Sequence, residues 1–308
     1  MIDLLIDNFG RPVKSLRISV TQKCNYNCIY CHMEGINYNV SNEMTPKEIE
    51  RISRILVKFD IKKVKITGGE PLIRKDIIEI IEAFKKTGMN EISMSTNGSL
   101  LKELAKPLRK AGLNRVNISL PSLKKEVYEY ITGGGKIENA LEGIDAAIEA
   151  KLIPIKINTV ILKGINENEI YDFINFSKDK KVILQLIELV ETTPEFYKKY
   201  HLSLDKYENE IKEKALKIEI RSLHNRKKYK LKNGAEIEFV KPMHNSLFCL
   251  KCDRIRITPD GKFKTCLFVN NGLIDFLTPM RNGENSEKII ELLKKAVSLR
   301  KPYFAKPE

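Results

Sequence analysis

Short apolar runs rich in β-branched residues alternate with longer helical patterns between Ser15 and about Glu191. The runs that predict strands are residues 15–20, 63–67, 91–96, 115–120, 153–162 and 182–189. Between them, helical patterns begin near Thr45, Arg74, Leu100, Ile137 and Glu167. Strands that alternate with helices and are apolar on both faces predict a parallel sheet covered by helices.

Local signals agree with this division. Thr45-Pro46-Lys47-Glu48 predicts a helix start, because Thr caps the helix, Pro fits its first turn and Glu completes a capping box. Gly88 and Gly112 predict the ends of two later helices. Six strand–helix units are fewer than the eight of a closed barrel. The pattern fits an open doubly wound sheet or, as we expect, an α/β fold built as a partial (β/α)6 TIM-type barrel.

The pattern changes after about residue 200. A helical stretch at 203–217 leads into short strand-like segments, and Asn233-Gly234 and Pro259-Asp260-Gly261 each predict the turn of a hairpin. A last helix is predicted from about Ser286 to Leu299. We therefore expect a core domain over residues 1–220 and a smaller, hairpin-rich α+β domain over residues 221–308.

Composition narrows the class of protein. The chain has 308 residues, of which 42% are hydrophobic, and no apolar run is long enough to span a bilayer. Acidic residues interrupt the apolar N-terminal stretch, so it does not resemble a signal peptide, and we expect a cytoplasmic protein without a membrane partner. The net charge of +14 suits a nucleic-acid binder and equally an enzyme with a phosphorylated substrate.

The six cysteines form two groups of three, namely Cys24, Cys28 and Cys31, and Cys249, Cys252 and Cys266. Odd-numbered groups do not suit a disulfide framework. Three thiolates in one loop suit a four-iron cluster with one open iron. Structural zinc usually takes four ligands, and His32 or His244 would have to supply the fourth.

The second group has two further features. The hairpin between Cys252 and Cys266 would bring Cys266 back beside its partners. Arg254 and Arg256 lie two residues apart on a predicted strand and therefore share one face, which suits an anionic substrate such as a polyphosphate.

The first cysteine group resembles the radical S-adenosylmethionine (SAM) superfamily. The segment SVTQK followed by CNYNCIYC has that superfamily's cysteine spacing, and TGGEP at 67–71 follows the second strand, as its GGEP motif does. The resemblance implies a 4Fe-4S cluster whose open iron is chelated by SAM, from which one electron releases a 5′-deoxyadenosyl radical. It also implies SAM contacts at Tyr30, Gly69, Ser119 and Val190.

The segment CLKCDRIRITPDGKFKTCLF resembles the GTP 3′,8-cyclase family of molybdenum cofactor biosynthesis, and the likeness covers nearly the whole chain. It implies a second 4Fe-4S cluster, bound by Cys249, Cys252 and Cys266, whose open iron contacts guanine. The implied reaction removes hydrogen from ribose C3′ and joins C3′ to C8 of the same GTP. The implied GTP contacts are Arg17, Lys65, Thr96, Lys156, Arg254, Ile255 and Arg256.

The family also implies partners: an electron donor, the cyclic pyranopterin monophosphate synthase that uses the product, and, left open, a second copy in a homodimer. No nucleic acid is expected. The chain departs from the family pattern at Lys65, where Arg is usual, and at its Pro307-Glu308 terminus, where many members end in Gly-Gly. Other interpretations are a different radical SAM enzyme with an auxiliary cluster, acting on tRNA, a haem precursor or a peptide, and a zinc-stabilised nucleic-acid-binding protein.

Overall fold

The structure is a computed structural model and describes residues 4–243 and 245–303. All six strands predicted for the core are present. They are β1 Ser15–Ser19, β2 Lys63–Thr67, β3 Glu91–Thr96, β4 Arg115–Ser119, β5 Lys156–Ile161 and β6 Ile183–Glu188. The helices between them are α1 Pro46–Lys58, α2 Ile77–Lys86, α3 Leu101–Ala111, α4 Lys125–Thr132, α5 Ile137–Glu149 and α6 Ile170–Asp179.

The predicted helix signals are confirmed. Thr45 accepts a hydrogen bond from the backbone N–H of Glu48, and the Glu48 side chain accepts one from the backbone N–H of Thr45, which completes the capping box of α1. Gly112 caps α3 with φ of 122°, a conformation that glycine adopts without steric penalty. Gly88 follows the end of α2. These local signals fix where the core helices begin and end.

The second half of the chain continues the same fold. Its helices are α7 Pro194–Tyr200, α8 Asp205–Lys214, α9 Ser246–Leu250, α10 Leu277–Arg281 and α11 Ser286–Ser298. Its strands are β7 Ala215–Ile220, β8 Lys227–Leu231, β9 Glu236–Val240, β10 Arg254–Ile257, β11 Lys262–Lys264 and β12 Ile274–Asp275. Both predicted hairpins form, as β8–β9 and β10–β11.

The described strands form one sheet in the order β12-β11-β10-β1-β2-β3-β4-β5-β6-β9-β8-β7. One strand of each hairpin extends the parallel core, because β10 pairs in parallel with β1 and β9 in parallel with β6. The α/β class and the open arrangement of the core strands are confirmed. The sequence did not indicate that the hairpins would join the core sheet, and a domain boundary at residue 220 stays a prediction.

Some elements differ from the sequence prediction. The helix expected over 203–217 ends at Lys214, and the chain then enters β7. Helix α7 was not predicted. Helix α7 is seven residues long and has no fully buried residue, so its apolar pattern is too short to indicate a helix by its period.

The core lies between the sheet and the helices that cover it, where Ile18, Ile66 and Ile118 of successive strands are fully buried. Because alternate strand residues point to opposite faces, Arg17 and Lys65 lie on the other face, inside the curve of the sheet. The described helices are all too short or too polar to cross a bilayer.

Candidate functional site

A cavity of about 690 Å³ lies inside the curve of the sheet and opens at the carboxyl ends of its parallel strands. Of the seventeen residues predicted for the site, sixteen line this cavity. The exception is Ile255, whose side chain is fully buried in the core and which pairs with Leu16 of β1. Its neighbours Arg254 and Arg256 face the cavity, so the alternation of side chains along β10 explains the difference.

The GGEP segment supports the loop that carries the first cysteine group. The backbone N–H of Gly69 donates to the Thr21 carbonyl at 2.8 Å, and that of Glu70 donates to the Lys23 carbonyl at 2.8 Å. A Cβ atom at Gly69 would lie 2.0 Å from the Lys23 carbonyl oxygen. Glycine is therefore required for the close approach of these two backbones.

Two other segments support the opposite side of the same loop. The Asn97 side chain, in the turn after β3, donates to the Asn25 Oδ1 at 2.8 Å. The backbone N–H of Ile29 donates to the carbonyl of Ile131, near the end of α4, at 3.0 Å. The first cysteine loop is thus held by the GGEP segment, by the turn after β3 and by α4.

Glu70 ties the GGEP segment to the turn after β3. Its buried carboxylate accepts hydrogen bonds from the Thr96 hydroxyl at 2.7 Å and from the Asn97 backbone N–H at 2.6 Å. Burial raises the pKa of Glu70 to about 7. The hydroxyl of Thr96, predicted to contact GTP, is therefore already engaged in a hydrogen bond to Glu70.

The first three thiols have the chemistry of cluster ligands. Backbone N–H groups of Tyr26 and Met33 donate to the sulfurs of Cys24 and Cys31, each at 3.4 Å. Burial, together with the neighbouring Cys31 and Cys24, raises the pKa of Cys28 to about 12, so a metal must supply the charge that keeps all three deprotonated. No three His, Cys, Asp or Glu side chains among the described residues meet around a single ion position. A four-iron cluster does not require this, because each thiolate binds a different iron.

The second cysteine group lines the same cavity. Cys249 is in α9, and the N–H of Cys252 donates to the Cys249 carbonyl at 3.0 Å. Cys266 returns after β11 as the hairpin predicted, since Arg256 pairs with Lys264. The zinc-ligand alternative at His244 lies outside the described residues.

Buried arginines hold the backbone of this group. Arg11 donates to the Cys249 carbonyl at 2.9 Å, and Arg300 donates to the Cys252 carbonyl. Asp7 pairs with both, at 2.7 Å to Arg11 and 3.2 Å to Arg300. Arg11 also donates to the carbonyls of Lys301 and Pro302, which brings the chain up to Tyr303 to the cavity. The Pro307-Glu308 terminus lies outside the described residues.

Three predicted substrate residues form a row across neighbouring strands, with Arg256 beside Arg17 and Arg17 beside Lys65. Glu34, which the sequence analysis missed, pairs with two of them. It accepts from Arg17 at 2.5 and 3.0 Å and from Arg256 at 3.0 Å. Burial would raise the pKa of Glu34, but the two guanidinium groups outweigh burial and hold that pKa well below its ordinary value.

Lys156 belongs to a second buried network. Its ammonium pairs with Glu238 of β9, which also accepts from Gln185 at 2.6 Å and from Arg221 at 3.0 Å. Burial opposes ionisation of Glu238, but Lys156, Arg226 and Arg221 lower its pKa to about 2. Burial lowers the pKa of Lys156 to about 7.

Lys65 and Arg254 differ from these cations. Within residues 4–243 and 245–303, neither side chain makes a hydrogen bond or an ion pair. Burial lowers the pKa of Lys65 well below its ordinary value, and the nearby Arg115 and Arg17 lower it further. Burial also lowers the pKa of Arg254, again with Arg17 contributing. A multivalent anion between these two residues would relieve this repulsion.

His224 is a second lining residue that the sequence did not reveal. Its ring stacks on Phe248, one residue before Cys249, with ring centroids 3.8 Å apart. A lone histidine has no sequence signal. Glu34 likewise is one of forty acidic residues, and only the fold shows that it is buried between arginines.

Comparisons with known proteins show the family of this chain. The model of the radical SAM superfamily matches residues 18–177, and that named Molybdenum Cofactor Synthesis C matches residues 182–306. A probable GTP 3′,8-cyclase of Thermococcus kodakarensis is 51% identical, over 98% of this chain and 100% of that protein. Proteins of the same name from Methanocaldococcus jannaschii (48% identical, over 97% of this chain and 98% of that protein) and Pyrococcus horikoshii (45%, over 98% of each) are also similar.

Solved structures share the fold at lower identity. Streptococcus suis SuiB bound to S-adenosylmethionine has a TM-score of 0.63 and 17% identity, over 87% of this chain and 62% of the SuiB chain. The enzyme anSMEcpe with bound AdoMet has a TM-score of 0.57 and 17% identity, over 85% of this chain and 77% of that one. The full-length likeness to the archaeal proteins is what places this chain more narrowly: it belongs to the radical SAM superfamily and, within it, to the GTP 3′,8-cyclase family.

Proposed function

We infer that this chain is a radical SAM GTP 3′,8-cyclase, which converts GTP to 3′,8-cyclo-7,8-dihydro-GTP in the first step of molybdenum cofactor biosynthesis. One observation carries the inference: two groups of three thiols, far apart in sequence, line a single cavity that also contains cations with no ion-pair partner among the described residues. A cluster that binds SAM, a second cluster and a triphosphate each need one of these features.

The residues present fit two 4Fe-4S clusters. Cys24, Cys28 and Cys31 would hold the first, with SAM beside Tyr30, Gly69, Ser119 and Val190, and the second would be held by Cys249, Cys252 and Cys266. When bound and reduced, the first cluster and SAM supply a 5′-deoxyadenosyl radical that abstracts hydrogen. The protein fixes the cysteine loops and surrounds the radical with a cavity that limits side reactions with water.

The cations of the cavity divide into two roles. Lys65 and Arg254 have no carboxylate partner among the described residues, so they are the groups most available to triphosphate oxygens. Arg17 and Arg256 are joined to Glu34, and Lys156 to Glu238, so they offer hydrogen-bond donors with much of their charge already neutralised. Charge-assisted hydrogen bonds from both sets would orient GTP with its guanine towards the second cysteine group.

The reaction needs partners that the chain does not contain. We expect a one-electron donor for the first cluster, transfer of the product to cyclic pyranopterin monophosphate synthase, a cytoplasmic location and no nucleic-acid partner. Measurement of the molar mass in solution decides whether the protein is a homodimer.

The test is an anaerobic assay of the reconstituted protein with SAM, dithionite and GTP, following 5′-deoxyadenosine and the cyclised nucleotide together. Formation of both is expected. Deoxyadenosine without cyclised nucleotide would keep the superfamily assignment and reject GTP as substrate. A protein that holds zinc and cleaves no SAM would reject both.

A further inference from the structure

The turn Met33–Gly35 connects the loops of the two cysteine groups. It begins two residues after Cys31, and its three residues have φ of 46°, 51° and 65°. A Cβ atom at Gly35 would lie 1.9 Å from the carbonyl oxygen of Leu267, the residue after Cys266. The first cysteine loop therefore rests directly on the second.

Lys264 strengthens this connection. Its side chain is 2% exposed, and its ammonium donates to the Gly35 carbonyl at 2.9 Å and to the Val269 carbonyl at 2.6 Å. One buried cation is thus shared by the turn after Cys31 and the segment after Cys266. The two loops have little freedom to move independently.

Glu34, in the middle of this turn, joins it to the substrate side of the cavity. Its carboxylate accepts from Arg17 of β1, from Arg256 of β10 and from the Thr67 hydroxyl at 3.0 Å. Arg256 lies on the strand between Cys252 and Cys266. One carboxylate therefore binds the first cysteine loop to the strand that carries the second group.

A carboxylate at this place works against anion binding. It neutralises part of the charge of two arginines and repels any polyphosphate nearby. Two largely buried arginines and a buried carboxylate also lose hydration when they pair, so stability alone does not explain this group of charges. A role in geometry accounts for both observations.

We propose that Glu34 is a positioning residue. It holds Arg17 and Arg256 against the first cysteine loop, and so fixes the substrate and the second cysteine group relative to the site where the radical forms, at the expense of affinity for the triphosphate. The part of this inference that concerns coupling of radical formation to cyclisation rests on the proposed function.

The experiment uses the full-length reconstituted protein and two substitutions, which separate the charge of the Glu34 side chain from its length. Glu34→Gln removes the charge at nearly constant size, whereas Glu34→Asp keeps the charge but is too short to reach both arginines. Glu50→Gln is the matched control, because it removes the same charge from a residue of α1 that pairs with Arg54 outside the cavity. Iron content and the thermal unfolding temperature are recorded for each variant.

Two quantities are measured: the Kd of inorganic triphosphate without SAM, and the cyclised nucleotide formed per 5′-deoxyadenosine. For Glu34→Gln we expect triphosphate to bind about fivefold more tightly, because one repelling charge is gone, while product per deoxyadenosine falls about tenfold. For Glu34→Asp we expect the same loss of coupling, with triphosphate affinity within about twofold of the wild type, because the charge remains. Glu50→Gln should change neither quantity.

The results separate the two claims. Coupling that is unchanged in both Glu34 variants, or triphosphate binding that is unchanged or weaker in Glu34→Gln, overturns the role of Glu34. If Glu34→Gln does not fold, the coupling of Glu34→Asp decides. A wild type that forms no cyclised nucleotide contradicts the proposed function instead, and the triphosphate titration of Glu34→Gln then decides the role of Glu34.

Discussion

Arg17 and Lys65 lie directly opposite each other on neighbouring parallel strands, and their side chains are in different electrostatic states. Arg17 is ion-paired with Glu34 at 2.5 Å. Lys65 has neither a hydrogen bond nor an ion pair to any residue in the described part of the chain. Two cations that look equivalent in sequence therefore differ in how freely they can bind a substrate.

The state of Lys65 predicts proton uptake on GTP binding. Its lowered pKa means that it is charged only at pH values below that pKa, and a bound triphosphate favours the charged form and raises the pKa again. At pH values above the lowered pKa, binding should therefore take up protons, and affinity should fall as the pH rises through that pKa. Calorimetric titration in two buffers of different ionisation enthalpy measures the uptake.

Lys65→Arg should reduce this proton uptake and flatten the pH dependence, because a guanidinium stays charged. Lys63→Arg is the control, since Lys63 lies on the same strand but is exposed and 3.8 Å from Glu91. Equal proton uptake by the wild type and Lys65→Arg would contradict the prediction.

Arg254→Ala should weaken GTP binding by about tenfold or more, because a buried charge-assisted contact is lost without releasing a paired carboxylate. SAM affinity should change by less than about threefold. Equilibrium titrations with each ligand, beside Arg54→Ala as an exposed control, measure the difference. Equal losses of affinity for SAM and GTP would show that Arg254 does not bind GTP selectively.

Cys249→Ser should separate the two cysteine groups in function. A serine hydroxyl is a poor substitute for a thiolate, so iron content should fall from about eight to about four per chain. Slow deoxyadenosine formation should persist while cyclised nucleotide is lost, and Cys24→Ser should lose both. Retention of cyclisation in Cys249→Ser would reject a role for the second cluster.

Gly69→Ala should damage the first cysteine group selectively. The added methyl group would lie 2.0 Å from a backbone oxygen of the cysteine loop, so the loop must move. We expect loss of SAM cleavage and of about half of the iron. Gly164→Ala adds a methyl group in open space, though at a φ of 75° that strains alanine, and so controls for loss of a glycine outside the cavity. Full iron loading in Gly69→Ala would refute the steric argument.

Local chemistry explains which parts of the fold were predictable. The capping box at Thr45, the helix end at Gly112 and the turn at Asn233-Gly234 depend on residues close together in sequence, and all three are present. The pairing of β10 with β1 joins Ser15 to Arg254, and no local pattern encodes it. For the same reason the hairpins were expected in a separate, smaller domain rather than within the core sheet.

In the candidate site too, local patterns were predictable and contacts between distant residues were not. Motif resemblance brought sixteen residues to one cavity because spacing and strand ends fix where they point. It could not show that Arg17 and Arg256 share Glu34, or that Lys156 pairs with Glu238, because these partners meet only in the folded chain. The sequence therefore could not show how much positive charge remains available to the substrate.

The position of β10 beside β1 also has a consequence for synthesis of the chain. As the chain leaves the ribosome, β1 can pair with β2 early, but its other edge stays open until residues 254–257 emerge. An open strand edge next to the first three cysteines is a site for unwanted pairing with other nascent chains. We expect iron to load at the first cysteine group before the second. The second cysteine group emerges with β10, and it is the pairing of β10 with β1 that closes the exposed edge.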